Sequence, residues 1–416
     1  MNYIDLFAGA GGLSEGFLKA GFTPIAHVEI DKAACFTLKT RQSYHYLKSN
    51  NQIEYYHKYL KGEINRSKLY SHIPKEELDK VINLAIGEEN NDKIFNKISI
   101  HLESREVDLI IGGPPCQAYS LVGRARSANG MNGDPRNFLF IQYAKYLEKY
   151  KPKLFVFENV LGLKSAKNEN GRYIDQMRSL FFEKGYEMKL YEVESNNFGV
   201  LQRRKRIIII GWKKDSKICI PDLEAIVIQT NFKVKNIFED LPKINAGEGK
   251  DKFMLYEIPA NNYLLQNSIR NGIDIVTQHI ARPHTDQDKE IYSIAVKKWN
   301  DNQERLNYND LPEVLKTHKN RKSFFDRFKI VAEDLNHSQT VVAHIAKDGH
   351  YYIHPDIEQN RSISIREAAR LQSFPDNYYF EGVKEGANRT AAFKQIGNAV
   401  PPLMAFEIAM KIKEIL

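Results

Sequence analysis

The chain opens with Asn2-Tyr3-Ile4-Asp5-Leu6-Phe7-Ala8-Gly9-Ala10-Gly11-Gly12, a short apolar run that ends in a cluster of glycines. This pattern predicts a strand, a turn, and then a helix from Leu13 to Ala20 that stops at Gly21. Strand, glycine turn and helix together are typical of a nucleotide-binding βα unit, because glycine lets a ligand approach the backbone closely. The stretch therefore predicts an α/β fold built on a doubly wound, Rossmann-like sheet.

A carboxylate ends the next predicted strand, Pro24 to Ile30. Glu29 lies twenty residues after Gly9, a spacing that fits a carboxylate binding the hydroxyls of a ribose. Ser14 stands where a dinucleotide fingerprint has glycine or alanine. A merely structural turn is the alternative, but together with Glu29 the pattern favours an adenosine-type cofactor.

The region from 49 to 91 is polar and rich in tyrosine. It follows a helix that Asp31 is predicted to cap and that runs to about Leu47. Helical patches around 55–60 and 75–86 suggest an insertion between two core elements, with no function that the residues indicate. Asp92, just beyond it, is either a turn residue or a partner for an exocyclic amine, and the local pattern favours the turn.

A cysteine follows an abrupt break in the middle of the first half. The apolar run Val107 to Ile111 continues into Gly112-Gly113-Pro114-Pro115-Cys116-Gln117-Ala118-Tyr119-Ser120. Proline cannot continue a strand, so the thiol is expected in a loop at the carboxyl end of that strand. A thiol in such a loop can be close to solvent and to hydrogen-bond donors that favour the thiolate, which is the nucleophilic form. A small buried hydrophobe is the alternative.

The stretch 121–137 combines glycines with Arg124, Arg126 and Arg136. Beside a nucleophile, this composition predicts a mobile lid that contacts phosphates as it closes. A surface loop without a function is the alternative.

A second reactive group is expected at the end of the next strand. A helix from Phe138 to Lys149 precedes the apolar run 154–157, which ends in Glu158-Asn159-Val160. Ligands of doubly wound sheets gather outside the carboxyl ends of the strands, so Glu158 is expected at the same rim as Cys116. Partial burial would raise the pKa of the carboxyl group and suit it to donate a proton.

A basic cluster precedes the last apolar strand of the first half. A helix from 174 to 185 and a strand from 187 to 195 are followed by Gln202-Arg203-Arg204-Lys205-Arg206, which leads directly into Ile207 to Ile210. Basic clusters are usually solvated. Here the adjoining buried strand predicts at least one arginine near the sheet, where it could hold an anion or a carbonyl group.

Composition sets the class of protein. The chain has 416 residues, 42% of them hydrophobic, with a net charge of +8 and a pI near 9.0. These values predict a globular protein of two or three domains with a polyanionic partner. Three scattered cysteines disfavour disulfides and zinc, and no apolar span or leader is evident, so we expect a cytoplasmic protein.

In this order, the glycine turn, the Pro-Pro-Cys-Gln motif, Glu158-Asn159-Val160 and the basic cluster resemble the motifs of DNA (cytosine-5)-methyltransferases of the bacterial restriction-modification type. Two later motifs complete the likeness, Arg366-Glu367-Ala368-Ala369-Arg370-Leu371-Gln372-Ser373-Phe374-Pro375 and Gln395-Ile396-Gly397-Asn398-Ala399-Val400-Pro401-Pro402. The likeness covers most of positions 1–215 and 337–416. Six motifs in the family's order are far more specific than any one of them.

The resemblance implies a reaction. The methyl group of S-adenosylmethionine would pass to C5 of a flipped-out cytosine in a specific sequence of double-stranded DNA, with Cys116 bonded transiently to C6 and Glu158 at the N3 side of the ring. Arg206 would hold the base near O2, while Asn159 and Arg204 would organise the site. Where the family often has an aromatic residue that stacks on adenine, this chain has Ile30.

The resemblance implies a set of cofactor-binding residues, and the loop after Cys116 together with the basic composition of a later stretch adds candidates for DNA binding. Those for the cofactor are Phe7, Ala8, Gly9, Gly11, Gly12, Glu29, Ile30, Asp92, Pro114, Leu139, Asn398 and Val400. Those for DNA are Gln117, Ser120, Arg124, Arg136, Lys319, Arg321, Lys322 and Arg327. The last four belong to a basic stretch, 316–329, whose alternative interpretation is a solvated surface.

The expected architecture is a catalytic, cofactor-binding domain at 1–220 and 381–416, which includes the insertion at 49–91. A smaller, mostly irregular or β target-recognition domain would occupy 221–380. The terminal helix, about 405–415, should return to the first domain. We expect a monomer without a metal ion that acts on double-stranded DNA. The sequence leaves open whether a cognate restriction endonuclease for the same site accompanies it.

Three alternatives remain at this stage. Transfer-RNA cytosine-5 methyltransferases share the catalytic motifs and carry a Cys-Phe-Thr signature; Cys35-Phe36-Thr37 occurs here, but on a predicted helix of the first domain, where we interpret it as coincidence. A dinucleotide-dependent oxidoreductase would explain the glycine turn but not Cys116 and Glu158. A non-catalytic DNA-binding module is disfavoured by the same two residues.

Overall fold

The computed structural model describes residues 1–115 and 138–416. Its centre is a seven-stranded sheet. The strands are β1 (Asn2–Leu6), β2 (Thr23–Glu29), β3 (Val81–Asn83), β4 (Leu109–Gly112), β5 (Leu154–Asn159), β6 (Tyr186–Glu194) and β7 (Lys205–Lys213). They lie in the order β3-β2-β1-β4-β5-β7-β6. The first five are parallel, whereas β7 runs antiparallel to both of its neighbours.

The helices surround this sheet and continue into the second half of the chain. They are α1 (Gly12–Lys19), α2 (Lys32–Ser49), α3 (Ile53–Lys61), α4 (Arg66–Tyr70), α5 (Lys75–Asp79), α6 (Asn91–Leu102), α7 (Leu139–Tyr150), α8 (Tyr173–Glu183), α9 (Asn262–Gln266), α10 (Asp286–Asn302), α11 (Arg321–Phe324), α12 (Ile365–Leu371), α13 (Arg389–Asn398) and α14 (Pro402–Lys413). The alternation of strands and helices in the first half confirms the predicted doubly wound class. Asp31 caps α2 as predicted, because its carboxylate accepts from the amides of Ala33 and Ala34.

Apolar layers cover both faces of the sheet. Ile4 and Leu6 belong to one buried cluster with residues of α7 and α8, while Tyr3 and Ile111 belong to another with α1 and α14. Strands buried on both faces are continuously apolar instead of alternating, which explains the uninterrupted run Ile207–Ile210. The terminal helix returns to the first domain as predicted, since α14 lies against α1 so closely that Gly16 has no room for a side chain.

One strand was not foreseen. Val81–Asn83 lies within the stretch expected to be an inserted helical patch, yet it pairs in parallel with β2 at the edge of the sheet. The predicted helix over 75–86 is therefore wrong beyond Asp79, where α5 ends. Three residues are too few to show a period. Within 49–91, the helices α3 to α5 are additions to the sheet, and α3 and α4 pack on the protein through a separate buried cluster.

The second half is mostly irregular, as expected from its sequence. Its described strands are two-residue pairs, Gly249–Lys250 with His279–Ile280 and Met254–Leu255 with Ile275–Val276. Residues of α12 and the segment that follows it, up to Phe380, share a buried cluster with Ala10 of the glycine turn. This part of the predicted recognition region thus packs directly on the glycine turn. Among the described residues, no helix has both the length and the apolar character needed to cross a membrane.

Candidate active site

The segments that carry the predicted site residues follow the carboxyl ends of three parallel strands, β1, β4 and β5. Leu6 of β1 is paired with Gly112 of β4, and Gly112 is paired with Phe157 of β5. The residues that follow these three are therefore brought to one edge of the sheet, at the point where the strand order reverses. Ligands bind at such switch points in open α/β sheets.

Glu158 and Arg206 form an ion pair at this edge. The Arg206 Nε lies 2.8 Å from the Glu158 Oε1, and each side chain is 14% exposed. The pairing follows from strand direction: β7 runs antiparallel to β5, so it enters the sheet at the edge where β5 ends. Arg206, at the start of β7, therefore lies beside Glu158, at the end of β5.

Gly113 lies directly against the carboxylate. A Cβ atom at this position would be 2.6 Å from the Glu158 Oε2 and 3.2 Å from its carbonyl oxygen. The second oxygen of Glu158 thus occupies space that any side chain at 113 would need. Glycine at 113 allows the loop after β4 to pass over the carboxylate.

Asn159 connects the two loops. Its Nδ2 donates to the Pro114 carbonyl at 3.2 Å, and its Oδ1 accepts from the Val160 amide at 2.9 Å. The side chain is buried. It therefore holds the backbone two residues before Cys116, in keeping with the organising role that the resemblance implies.

Arg204 points away from the edge and into the protein. Its guanidinium is fully buried and donates to the carbonyls of Val341, at 2.8 Å, and Gly397, at 3.1 Å. Gln202 contributes to the same junction, because its Oε1 accepts from the Val341 amide at 2.7 Å. Arg204 thus holds two backbone carbonyl groups, and Arg206 holds a carboxylate. The sequence predicted at least one such arginine near the sheet, because the basic cluster directly precedes a buried strand.

The glycine turn is shaped for close approach. Phe7 has a φ of 58°, an uncommon conformation for a side-chain-bearing residue and one that concentrates at functional sites. Gly9 has a φ of 56°, and a Cβ atom added to it would meet no other atom within 4 Å, so space is open above it. Gly12, in contrast, is packed against the Val400 carbonyl, which brings the late motif beside the turn.

Glu29 reaches this open space. Its Oε2 accepts from the Gly9 amide at 2.8 Å and its Oε1 from the Asp31 amide at 2.7 Å. Burial raises the pKa of Glu29 above its ordinary value. The Ile30 amide is a third backbone donor to Glu29. A carboxylate has about four lone-pair positions, so one remains for a ligand hydroxyl group. The neighbouring Ile30 is 65% exposed, an unusual position for isoleucine that a bound ring would cover.

Asn83 is a candidate that sequence reasoning missed. It is paired with Glu29 across β2 and β3, and its Nδ2 donates to the carbonyls of Glu29 and Ile30 at 3.0 and 2.9 Å. Asp92, the residue proposed instead, is exposed in the first turn of α6. There a negative charge faces the positive end of the helix dipole. No clear sign of strand β3 is present in the sequence, so the match to the family's motif fell on Asp92. The signal that could have indicated Asn83 is the pair of β-branched residues, Val81 and Ile82, directly before it.

The remaining cofactor candidates differ in burial. Ala8 and Leu139 are half-buried, Pro114 and Val400 are buried, and Asn398 is exposed at the end of α13. Five further candidates, Cys116, Gln117, Ser120, Arg124 and Arg136, lie outside the described residues. The described part of the chain contains no group of three or more His, Cys, Asp and Glu side chains placed to share a metal ion.

The basic stretch of the second half divides into paired and unpaired cations. Arg321 pairs with Glu313 at 3.0 Å, and Arg327 pairs with Asp348. Lys319 and Lys322 are exposed and have no ion pair within the described residues. Of the four, these two are the most available to a phosphate.

Cys35 lies in α2, as predicted, and is buried. Burial raises the pKa of its thiol to about 12, and Sγ donates to the Glu29 carbonyl at 3.3 Å. A buried protonated thiol is unreactive. The Cys-Phe-Thr stretch therefore has a packing role in this fold.

Comparisons with known proteins identify relatives of this chain. The family model for C-5 cytosine-specific DNA methylases matches residues 1–66 and 67–414. The type II methyltransferase M.Bpa9945I of Bacillus paralicheniformis is 42% identical over 100% of this chain and 99% of its own length. The type II methyltransferase M.DdeI of Desulfomicrobium norvegicum is 31% identical over 99% of this chain and 88% of its own length.

Solved structures share the fold at lower identity. A protein of an E. coli prophage described as a DNA modification methyltransferase aligns over 100% of this chain and 99% of its own, with a TM-score of 0.63 and 21% identity. The Dnmt2 methyltransferase of S. pombe aligns over the same shares, with a TM-score of 0.52 and 13% identity. At these identities the likeness establishes the α/β architecture alone.

Proposed function

The chain belongs to the C-5 cytosine-specific DNA methylase family, and on that premise we propose that it is a DNA (cytosine-5-)-methyltransferase that uses S-adenosylmethionine and double-stranded DNA. The observation that supports this most directly is the ion pair of Glu158 and Arg206 at the edge of the sheet, against Gly113 of the loop that leads to Cys116. A carboxylate and a guanidinium so placed suit the N3 and O2 side of a cytosine ring.

The protein's part in the reaction begins with access. A base inside a duplex cannot present C6 to a thiol, so the target cytosine has to be rotated out of the stack. In our proposal, the Cys116 thiolate adds to C6, and the electron pair of the C5–C6 double bond moves toward C5. Glu158 stabilises the altered ring from the N3 and exocyclic amine side.

The ring is restored in a second step. Once C5 has taken the methyl group and S-adenosylhomocysteine is left as the product, a water molecule accepts the proton of C5. The electron pair of the C5–H bond re-forms the C5–C6 double bond, the sulfur–C6 bond breaks, and Cys116 leaves as the thiolate. Arg206 holds the Glu158 carboxylate through Nε throughout, and Asn159 holds the Pro114 carbonyl close to the nucleophile. S-adenosylmethionine supplies an electrophilic methyl group on a sulfonium sulfur.

The glycine turn and Glu29 fit the adenosine part of that donor. Space is open beside Gly9, Glu29 accepts from the Gly9 amide, and Ile30, the next residue after Glu29, is exposed. We propose that Glu29 binds the ribose, that the 9–12 turn lies along the methionine part, and that Asn83 takes the place assigned to Asp92 beside the base.

The second half of the chain would supply the DNA contacts. Lys319 and Lys322 suit phosphate oxygens, because an exposed, unpaired cation that neutralises a phosphate displaces counterions condensed on the DNA. The relatives are type II methyltransferases. We propose accordingly that this protein protects a specific site in a restriction-modification system, acting as a monomer on cytoplasmic, nucleoid DNA.

Mechanism-based trapping tests the proposal. Duplex DNA with 5-fluorocytosine in the target site should become covalently attached in the presence of S-adenosylmethionine, because fluorine at C5 cannot leave as a proton would. Cys116→Ala should form no adduct, whereas the matched control Cys35→Ala, which loses only a buried thiol, should form it. An adduct with transfer RNA and with no duplex would establish the transfer-RNA alternative. Bisulfite sequencing of DNA from expressing cells would identify the site.

A further inference from the structure

The helices α3 to α5 are joined to the protein by buried polar contacts as well as by packing. The Tyr56 hydroxyl donates to the Asn377 carbonyl at 2.7 Å, and the Tyr59 hydroxyl donates to the Glu381 carboxylate at 2.5 Å. These two acceptors flank Tyr378 in the sequence. Helix α3 therefore contacts the segment that carries this tyrosine on both sides of it in the sequence.

Tyr378 extends from that segment to the cofactor loop. Its side chain is buried and its hydroxyl donates to the Ala10 carbonyl. A Cβ atom on Gly11 would lie 2.9 Å from the same hydroxyl oxygen. Burial raises the pKa of Tyr378 well above its usual value, so the phenol remains a donor across the physiological range.

Arg41 fixes the tyrosine from the other side. The guanidinium lies 4.8 Å from the centre of the Tyr378 ring and donates to the Asn377 Oδ1 at 2.9 Å. It also donates to Glu15 of α1, with Nε 2.8 Å from Oε2. Burial acts to raise the pKa of Glu15, but the charges of Arg41 and His45 outweigh it and hold that pKa well below its usual range. The helix that begins at the glycine turn is thus tied to the same network.

We propose that Tyr378 is a positioning residue for S-adenosylmethionine, and that α3, through Tyr56 and Tyr59, holds it against the glycine turn. The hydrogen bond sets the orientation of the peptide group between Ala10 and Gly11, in the middle of the loop that the cofactor approaches. Without the hydroxyl, a buried carbonyl loses its donor, and the turn relaxes toward other conformations. This inference rests on the proposed function, because it assumes that the turn binds the methyl donor.

Two adjacent tyrosines provide the test. Tyr378→Phe should weaken the binding of S-adenosylmethionine, measured by calorimetry, about tenfold. The variant leaves the buried Ala10 carbonyl without its donor, and the loss of one such hydrogen bond corresponds to about that change in affinity. The KM for S-adenosylmethionine should rise by the same factor while kcat at saturating cofactor stays unchanged. Tyr379→Phe is the matched control, because its hydroxyl donates to Asp251 at 2.5 Å and not to the loop; its cofactor affinity should be that of the wild type.

The outcomes are distinguishable. Equal affinities for Tyr378→Phe and the wild type would overturn the inference, as would equal losses in both phenylalanine variants. If Tyr378→Phe does not fold, Tyr56→Phe decides, since loosening Asn377 should weaken cofactor binding in the same direction and an unchanged affinity would contradict the role of α3. A wild-type protein that does not bind S-adenosylmethionine at all would overturn the proposed function itself.

Discussion

Arg206 and Glu158 are separated by 2.8 Å between Nε and Oε1, although they belong to strands that run in opposite directions. The contact exists because β7 is inserted antiparallel beside β5, so the start of one strand meets the end of the other. This places a fixed planar donor beside a carboxylate at the edge of the sheet where we propose that the cytosine binds. Arginine suits such a position, because its Nε–H direction is set by the plane of the group.

Replacing Arg206 should therefore damage catalysis selectively. Arg206→Ala is expected to lower kcat about 100-fold, the usual cost of removing one preorganised donor from a reacting centre, with little change in thermal unfolding. Arg203→Ala is the control from the same cluster, since Arg203 is 61% exposed and paired with Glu194. Tritium transfer from labelled donor to DNA measures both. Equal activities in the two variants would contradict the role of Arg206.

A single methyl group at Gly113 should have a similar result. Gly113→Ala places Cβ 2.6 Å from the Glu158 Oε2, so the carboxylate has to move, and kcat should fall at least about tenfold. Gly87→Ala is the matched control, because a Cβ there meets no atom within 4 Å. Activity of Gly113→Ala close to that of Gly87→Ala would show that the position of Glu158 is not critical.

Arg204 should matter for stability. Its buried guanidinium donates to carbonyls of two distant segments, at Val341 and Gly397. Arg204→Ala leaves these carbonyls without their donor, and the free energy of unfolding should fall by roughly 3 kcal/mol. Denaturant unfolding checks this, with Arg203→Ala expected near the wild type. A small change in Arg204→Ala would mean that other contacts suffice to join the segments.

Stability should decline in mild acid because of His279. Its Nε2 contacts the Pro242 carbonyl at 2.8 Å and its Nδ1 the Ser364 hydroxyl at 2.9 Å, an arrangement that a neutral ring satisfies. Burial lowers the pKa of His279 to about 4. The unfolded chain therefore binds more protons between about pH 6.5 and pH 4, and the native state should lose roughly 3 kcal/mol over that window.

The stability that the neutral His279 ring contributes is fully present above the pKa of histidine in the unfolded chain. It disappears as the pH falls to the pKa of His279 in the folded protein. Unfolding curves at pH 7 and pH 4.5 measure it. His279→Gln, which cannot gain a proton, should show a shallower dependence on pH. The same slope in both proteins would assign the acid sensitivity to other groups.

The salt dependence of DNA binding should separate the cations of the basic stretch. Lys319→Ala and Lys322→Ala should each reduce the slope of log K against log salt by about 1, as expected for one lost phosphate contact. Arg321→Ala should change it less, because Arg321 already pairs with Glu313. Fluorescence anisotropy with a labelled duplex measures the slopes. Identical slopes in all three variants and the wild type would place the phosphate contacts elsewhere.

Local patterns carried much of the prediction. The glycine turn, Glu29 and Glu158 were recognised because a strand that ends in glycine or a carboxylate is a short-range signal, readable within a few residues. The cap at Asp31 and the apolar run of β7 are of the same kind. The stretch around 81–83 was misread for the opposite reason, since three residues carry no periodicity and the surrounding polar sequence favours a helix.

The sequence by itself determined the class of sheet, the family and the chemical groups, because strand length, turn residues and reactive side chains are properties of contiguous residues. Only the tertiary structure decided which of these groups meet. Arg206 turns out to face Glu158, Arg204 to face inward, Asn83 to lie beside Glu29, and Tyr378 to reach Ala10 across 368 positions. Such contacts depend on the strand order, on the antiparallel insertion of β7 and on the path of the chain back over the glycine turn. These three features are set by residues far apart in the sequence, so no local pattern encodes them.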